Sequence, residues 1–168
     1  YKTDEITAPF FGLVYVALML SFLYQTRMVP IEGKNTPIVY FLIFICSWGC
    51  DTCAYAVGML IGKHKMAPIL SPKKSIEGGI GGIVGAALLG AIYGMIFDLD
   101  IRGCVILCAA GGAVSQIGDL AASAIKRNHN IKDYGHLIPG HGGILDRFDS
   151  VIFTAPIIYA LTLLVFSR

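Results

Sequence analysis

The sequence predicts an all-α, polytopic membrane helix bundle, with about five transmembrane helices in a single domain spanning 1–168. Three observations carry that expectation. The chain is 55% hydrophobic and only 14% charged, whereas a soluble domain has about 25% charged residues. Its apolar residues fall into runs long enough to cross a bilayer. Its charge is gathered between those runs, above all from Ser123 to Asp149.

The first run, 6–26, carries no charge and ends at Arg27. At about 1.5 Å per residue it spans a hydrocarbon core of about 30 Å. A polar turn, Glu32 to Pro37, separates it from the second run, 38–62. Asp51 sits near the middle of that run. A carboxylate there costs about 2.5–3.5 kcal/mol on an insertion scale, so it should face protein or water. Residues 63–78 read as a basic loop with Lys63, His64, Lys65, Lys73 and Lys74, turned at Ser71-Pro72. The third run, 79–97, follows it. Gly78, Gly82 and Ala86 lie four apart, as do Gly81 and Gly85, and Gly90 and Gly94. Small residues at that spacing let helices approach closely, within the chain or against a second copy, which leaves a homodimer open. After a turn at Asp98–Arg102 comes the fourth run, 103–125. In it Ser115, Asp119 and Ser123, continuing to Lys126, share one polar face expected to line a cavity. The fifth run, 151–167, contains Pro156 and should be kinked or tilted.

Several classes are disfavoured. A net charge of +2 without a basic stripe excludes a nucleic-acid partner. All five cysteines lie in apolar runs, so Cys50-x-x-Cys53 reads as helix packing rather than a zinc site. The glycines do not fit the dinucleotide fingerprint. No secretory leader is visible, and a start at Tyr1 points to a segment of a longer chain.

Charge also sets an expected orientation. Lys2, Lys63, Lys65, Lys73, Lys74, Lys126, Arg127, Lys132 and Arg147 fall on one face of the five-span topology. Arg27, Lys34, Arg102 and Arg168 fall on the other. The positive-inside rule places the richer face, with both polar loops, in the cytoplasm.

The Ser123–Asp149 stretch holds four cations, three acids and three of the four histidines. Grouped carboxylates need a cation among them, and Asp119, Asp146 and Asp149 are oxygen donors suited to a hard divalent ion. Capping of a helix amino terminus is the competing reading for Asp146 and Asp149, which stand three apart. Lysines and arginines above such a site suit a triphosphate, although the positive-inside bias alone also enriches them. In Pro139-Gly140-His141-Gly142-Gly143 the glycines allow close backbone approach to a phosphate, or simply a tight turn. His64, His129 and His136 lack such company and read as loop residues.

The pattern Ser123-x-x-Lys126-Arg127, Lys132-Asp133-x-Gly135, Ile138-Pro139-Gly140-His141-Gly142-Gly143, Asp146-Arg147-x-Asp149 resembles the signature of phosphatidate cytidylyltransferases (CDP-diacylglycerol synthases). Ser71-Pro72-Lys73-Lys74-Ser75-Ile76-Glu77-Gly78 and Asp51 with Ala54-Tyr55 are similar to two further segments of that family. Ser75 stands where the family usually has Thr, and Met59 where Arg often follows Gly58. The resemblance implies that CTP and phosphatidic acid give CDP-diacylglycerol and pyrophosphate. It implies Mg²⁺ as cofactor, with a second cation as an option. It implies Asp119 and Asp146 as metal ligands, with Asp149 as a third or supporting acid. Lys73, Lys74, Lys126 and Arg127 would hold phosphates. Ser71, Ser123 and His141 would hydrogen-bond nucleotide or lipid phosphate, and Arg147 would brace the carboxylates. Ser75, Lys132, Asp133, Gly142 and Gly143 complete the expected substrate-binding set. It also implies further amino-terminal membrane helices. A CTP-dependent lipid-alcohol kinase is the neighbouring alternative, and a transporter with an Asp51–Asp119 relay is a more distant one.

Overall fold

The structure, a computed structural model, describes residues 3–31, 38–135, 137 and 142–166. The expected turn at 32–37 and the charges Lys2, Lys34 and Arg168 lie outside the described residues.

Among the described residues, five helices are long and apolar enough to cross a membrane. Helix α1 (3–27) is α-helical over Thr3–Gly12, π-helical over Leu13–Leu18 and α-helical again over Met19–Arg27. Helix α2 (Phe41–Ile61) contains a π-helical stretch at Ile45–Gly49. Then come strands β1 (Lys65–Ala67) and β2 (Ser71–Ser75), and helices α3 (Ile76–Ile96), α4 (Ile101–Asn128) and α5 (Leu145–Phe166). Helix α4 is the axis of the bundle. It packs between α3 and α5, while α2 lies against α3 and the second half of α1 against α5. The core between them is built from Val39, Leu42, Ile43, Cys46, Leu107, Cys108, Val151, Ala155 and Ile158. The outer surface is apolar too, with Ile80, Leu88 and Ile92 of α3 and Leu60 of α2 exposed. So much exposed hydrocarbon is out of place in water and suits lipid.

The small-residue rows of α3 are used inside the chain. A Cβ on Gly82 would stand 2.8 Å from the Ala54 Cβ and 2.9 Å from the Cys50 carbonyl oxygen. One on Gly85 would stand 2.5 Å from the Cys53 Sγ, and one on Gly90 would stand 2.5 Å from the Cys108 Sγ. The cysteines therefore act as small apolar knobs against glycine. Gly90→Leu is expected to cost about 1–3 kcal/mol by overpacking. A lowered thermal midpoint in detergent, partly restored by Cys108→Ala, would measure this.

The elements differ from the sequence expectation at their ends. The stretch read as a basic loop folds as an antiparallel hairpin pairing Lys65 with Ser75 and Ala67 with Ser71, with an irregularity between. Pro72 fits this two-stranded ribbon because an edge strand need not donate at every residue. Helix α3 begins at Ile76, before the apolar run itself, because the Ser75 Oγ accepts from the Gly78 N–H at 3.1 Å. Helix α4 begins at Ile101, where the Asp100 carboxylate accepts from the N–H groups of Arg102 and Gly103. It runs on to Asn128, so Lys126 and Arg127 are helical rather than in the loop. Helix α5 begins six residues before the expected run and continues through Pro156. Asp146 and Asp149 thus occupy its first two turns.

Candidate active site

The polar face of α4 meets two groups of charge. The first is carried by the hairpin. Lys74, at the end of β2, forms an ion pair with Asp119 of α4, each side chain 24% exposed. Asp51 of α2 lies within electrostatic reach of both. The second group stands two helical turns along α4. There the Lys126 Nζ donates to the Asp146 Oδ1 at 3.0 Å and to the Asp149 Oδ2 at 3.4 Å. These side chains are 11%, 4% and 11% exposed. Asp149 is in turn within electrostatic reach of Asp119, so the two groups form one continuous array joined through two carboxylates.

The connection between α4 and α5 folds around Asp146. Its Oδ2 accepts from the Tyr134 N–H at 2.8 Å and from the Gly143 N–H at 2.9 Å. Gly142 has φ of 81°, in the left-handed region, and a Cβ there would stand 3.0 Å from that same Oδ2. Glycine is needed at this place so that the loop can close on the carboxylate. The Tyr134 ring lies under the Lys126 Nζ, 5.2 Å from ring centroid to nitrogen, and its hydroxyl donates to the Ala122 carbonyl at 3.3 Å. Burial pushes the Tyr134 phenol above its usual pKa, which keeps it protonated for that bond. On the other side of α5, the Trp48 Nε1 donates to the Arg147 carbonyl at 3.2 Å, and the Trp48 and Phe148 rings meet edge on.

Beside the first group lies a cavity of about 510 Å³. Its lining is mixed, with charge and polarity from Asp51, Lys65, Lys73, Lys74, Gln116 and Asp119. Ala54, Tyr55, Met59 and Met66 supply apolar surface, and Tyr55 and Met59 are strongly exposed. The cavity thus sets charged groups beside apolar side chains.

The structure brings together Asp119, Lys74, Lys126, Asp146 and Asp149. Lys73 is exposed at the cavity rim, and Ser75 lines the cavity while it caps α3. Ser71 and Ser123 are half-buried. Arg127 is exposed and donates to the Ile131 carbonyl at 3.3 Å. Lys132 is exposed, and Asp133 is half-buried against Gly142. Arg147 is exposed, with its backbone tied to Trp48. His136 and His141 lie outside the described residues. Of the expected polar face, Ser115 is fully buried rather than facing the cavity. Gln116, its neighbour, lines the cavity instead and donates to the Gly79 carbonyl at 2.7 Å.

Sequence reasoning passed over Lys65 and Gln116. Lys65 was one of several lysines in an apparent loop, and the hairpin alone turns it to the cavity. Gln116 follows Ser115 by one residue and stands three before Asp119, and Ser115 was taken for the face in its place.

Asp119 and Asp149 are oxygen donors of the kind that Mg²⁺ takes. Among the described residues no three His, Cys, Asp or Glu side chains converge to hold a metal ion. A hard cation here would need further oxygen, which Mg²⁺ commonly draws from water and phosphate.

The sequence model of the cytidylyltransferase family matches residues 1–165, and so covers every element of this site. The phosphatidate cytidylyltransferase of Bacillus subtilis (strain 168) is 38% identical over 163 residues, which is 96% of this chain and 60% of that protein. The enzyme of the same name from Staphylococcus epidermidis is 40% identical over 152 residues, 89% of this chain and 56% of that protein. That from Staphylococcus aureus is 39% identical over 155 residues, again 89% and 56%. The chain therefore spans somewhat more than half the length of these curated relatives. With the match running from α1 through α5, and the paired lysines and carboxylates inside it, the chain belongs to the cytidylyltransferase family.

Proposed function

We propose that this chain carries the catalytic centre of an integral-membrane phosphatidate cytidylyltransferase. The reaction joins CTP to phosphatidic acid. An oxygen of the lipid phosphate attacks the α-phosphorus of CTP, the bond from that phosphorus to the bridging oxygen of pyrophosphate breaks, and CDP-diacylglycerol forms. The observation that carries this reading is the array Lys74–Asp119–Asp149–Lys126–Asp146 beside a cavity whose lining is part charged and part apolar. A nucleotide needs the charged groups and a lipid needs the apolar ones. The names of the similar bacterial enzymes support the same substrates.

Phosphoryl transfer of this kind leaves the protein little covalent work beyond positioning and charge neutralisation. In the free chain Lys74 pairs with Asp119, and Lys126 is shared between Asp146 and Asp149. Arriving phosphates draw Lys74, Lys126 and the exposed Lys73 toward themselves, which frees Asp119 and Asp149. The donor set fits Mg²⁺, since one or two carboxylates plus substrate phosphates suffice. When bound, the ion would neutralise charge on the departing pyrophosphate. Asp146 would keep the α4–α5 connection closed, because both its oxygens are engaged by Lys126, Tyr134 and Gly143. The charge bias of the loops supports a cytoplasmic site, the side on which CTP is available.

The test is turnover in detergent micelles with CTP, phosphatidic acid and Mg²⁺, run for this chain and for a form extended to the length of its relatives. CDP-diacylglycerol and pyrophosphate in equal amounts are expected, and a chelator should abolish both. CDP with a phosphorylated lipid alcohol would instead make it a lipid kinase.

A further inference from the structure

Tyr15 lies in the π-helical stretch of α1, remote in sequence from every residue above. Its ring is fixed on both sides. It stacks on Phe11 with centroids 4.9 Å apart, and Phe153 of α5 meets it edge on at 5.8 Å. Its hydroxyl is fully buried and has no hydrogen-bond partner among the described residues. That hydroxyl also lies within electrostatic reach of Asp149 and Tyr134, the residues that surround Lys126. A buried hydroxyl without a partner is costly, and a phenylalanine would fill the same space without that cost. Phe153 stands one helical turn after Asp149 on α5, so its contact with the Tyr15 ring sets this unpartnered donor beside the charge array.

We propose that Tyr15 is a positioning residue whose hydroxyl donates a hydrogen bond to a substrate phosphate held at Lys126. This rests on the cytidylyltransferase reading and extends it, since it gives α1 a part in the site. The phosphate belongs to the nucleotide or to the lipid headgroup, and the two supply the same acceptor.

Tyr15→Phe separates the possibilities, because it removes only the hydroxyl and keeps both ring contacts. Steady-state kinetics would be measured with CTP varied at saturating phosphatidic acid, and with the lipid varied at saturating CTP. Thermal midpoints would be taken without ligand, with CTP and Mg²⁺, and with phosphatidic acid. Tyr24→Phe, an exposed tyrosine on the same helix, is the control. The expected result is a fall in kcat/KM of about tenfold to a hundredfold, the effect of losing a hydrogen bond to a charged group. The ligand-free midpoint should be unchanged or raised. A fall in the CTP series assigns the contact to the nucleotide phosphate, and a fall in the lipid series assigns it to the headgroup. Wild-type kinetics in both series overturn the proposal. So does a lowered ligand-free midpoint, which would make the hydroxyl a structural partner. A parent protein that turns over nothing and gains no thermal stability from either ligand overturns the activity reading itself, and this inference with it.

Discussion

Replacing Lys126 with methionine is expected to remove activity and much of the stability together. The two side chains are similar in length, so the loss is one of charge. Lys126 is the shared partner of Asp146 and Asp149, and all three side chains are nearly buried. Without it two carboxylates face each other with no cation. Breaking a buried ion pair from one side costs about 3–5 kcal/mol, because the remaining charge keeps its desolvation penalty. Turnover should fall at least about a hundredfold, as when one preorganised electrostatic contact to a reacting group is lost. Lys126→Arg keeps the charge and should keep the fold. The double variant Lys126→Met with Asp149→Asn is the informative one. It relieves the unpaired charge, so its denaturation midpoint should recover part of the loss, while turnover should stay absent. Recovery of turnover in the double variant would show that Lys126 serves only the fold.

Asp119→Asn should behave in the opposite way. Its ion pair with Lys74 is about a quarter exposed on both sides. A partly exposed pair that keeps a polar amide in place of the carboxylate costs less to alter than a buried pair cut from one side, so the denaturation midpoint should fall by less than for Lys126→Met. Activity should nevertheless fall about a hundredfold or more, since the amide is a poor ligand for a hard cation and this carboxylate lines the cavity. Raising Mg²⁺ should restore part of the rate. A large stability loss with an unchanged Mg²⁺ dependence would place Asp119 in the framework instead.

These two residues show how unevenly the sequence displayed the site. The five spans were legible because nothing but lipid-facing and packing helices uses runs of that length and composition. The glycine rows were legible as close-packing surfaces, but not their partners, because spacing alone cannot say that Cys53 meets Gly85. The carboxylates and lysines were legible as a group. Their pairing was not: Lys74 and Asp119 are joined only when the hairpin folds back over α4. The hairpin itself was hidden by a short basic segment with two prolines, which carries no alternation of apolar residues. The early start of α5 was hidden because Leu145–Ser150 mixes charge into what is already helix. Tyr15 gave no sign at all, since one tyrosine in an apolar run is ordinary and only the buried hydroxyl sets it apart.

The measurement that bears most directly on the central claim is the fate of each phosphorus of CTP. The protein would be supplied with phosphatidic acid, Mg²⁺ and CTP labelled with ³²P at either the α or the γ position, and the lipid extract counted. The account predicts that the α label enters lipid while the γ label leaves as pyrophosphate. Label from the γ position in the lipid, with CDP left in solution, would contradict it.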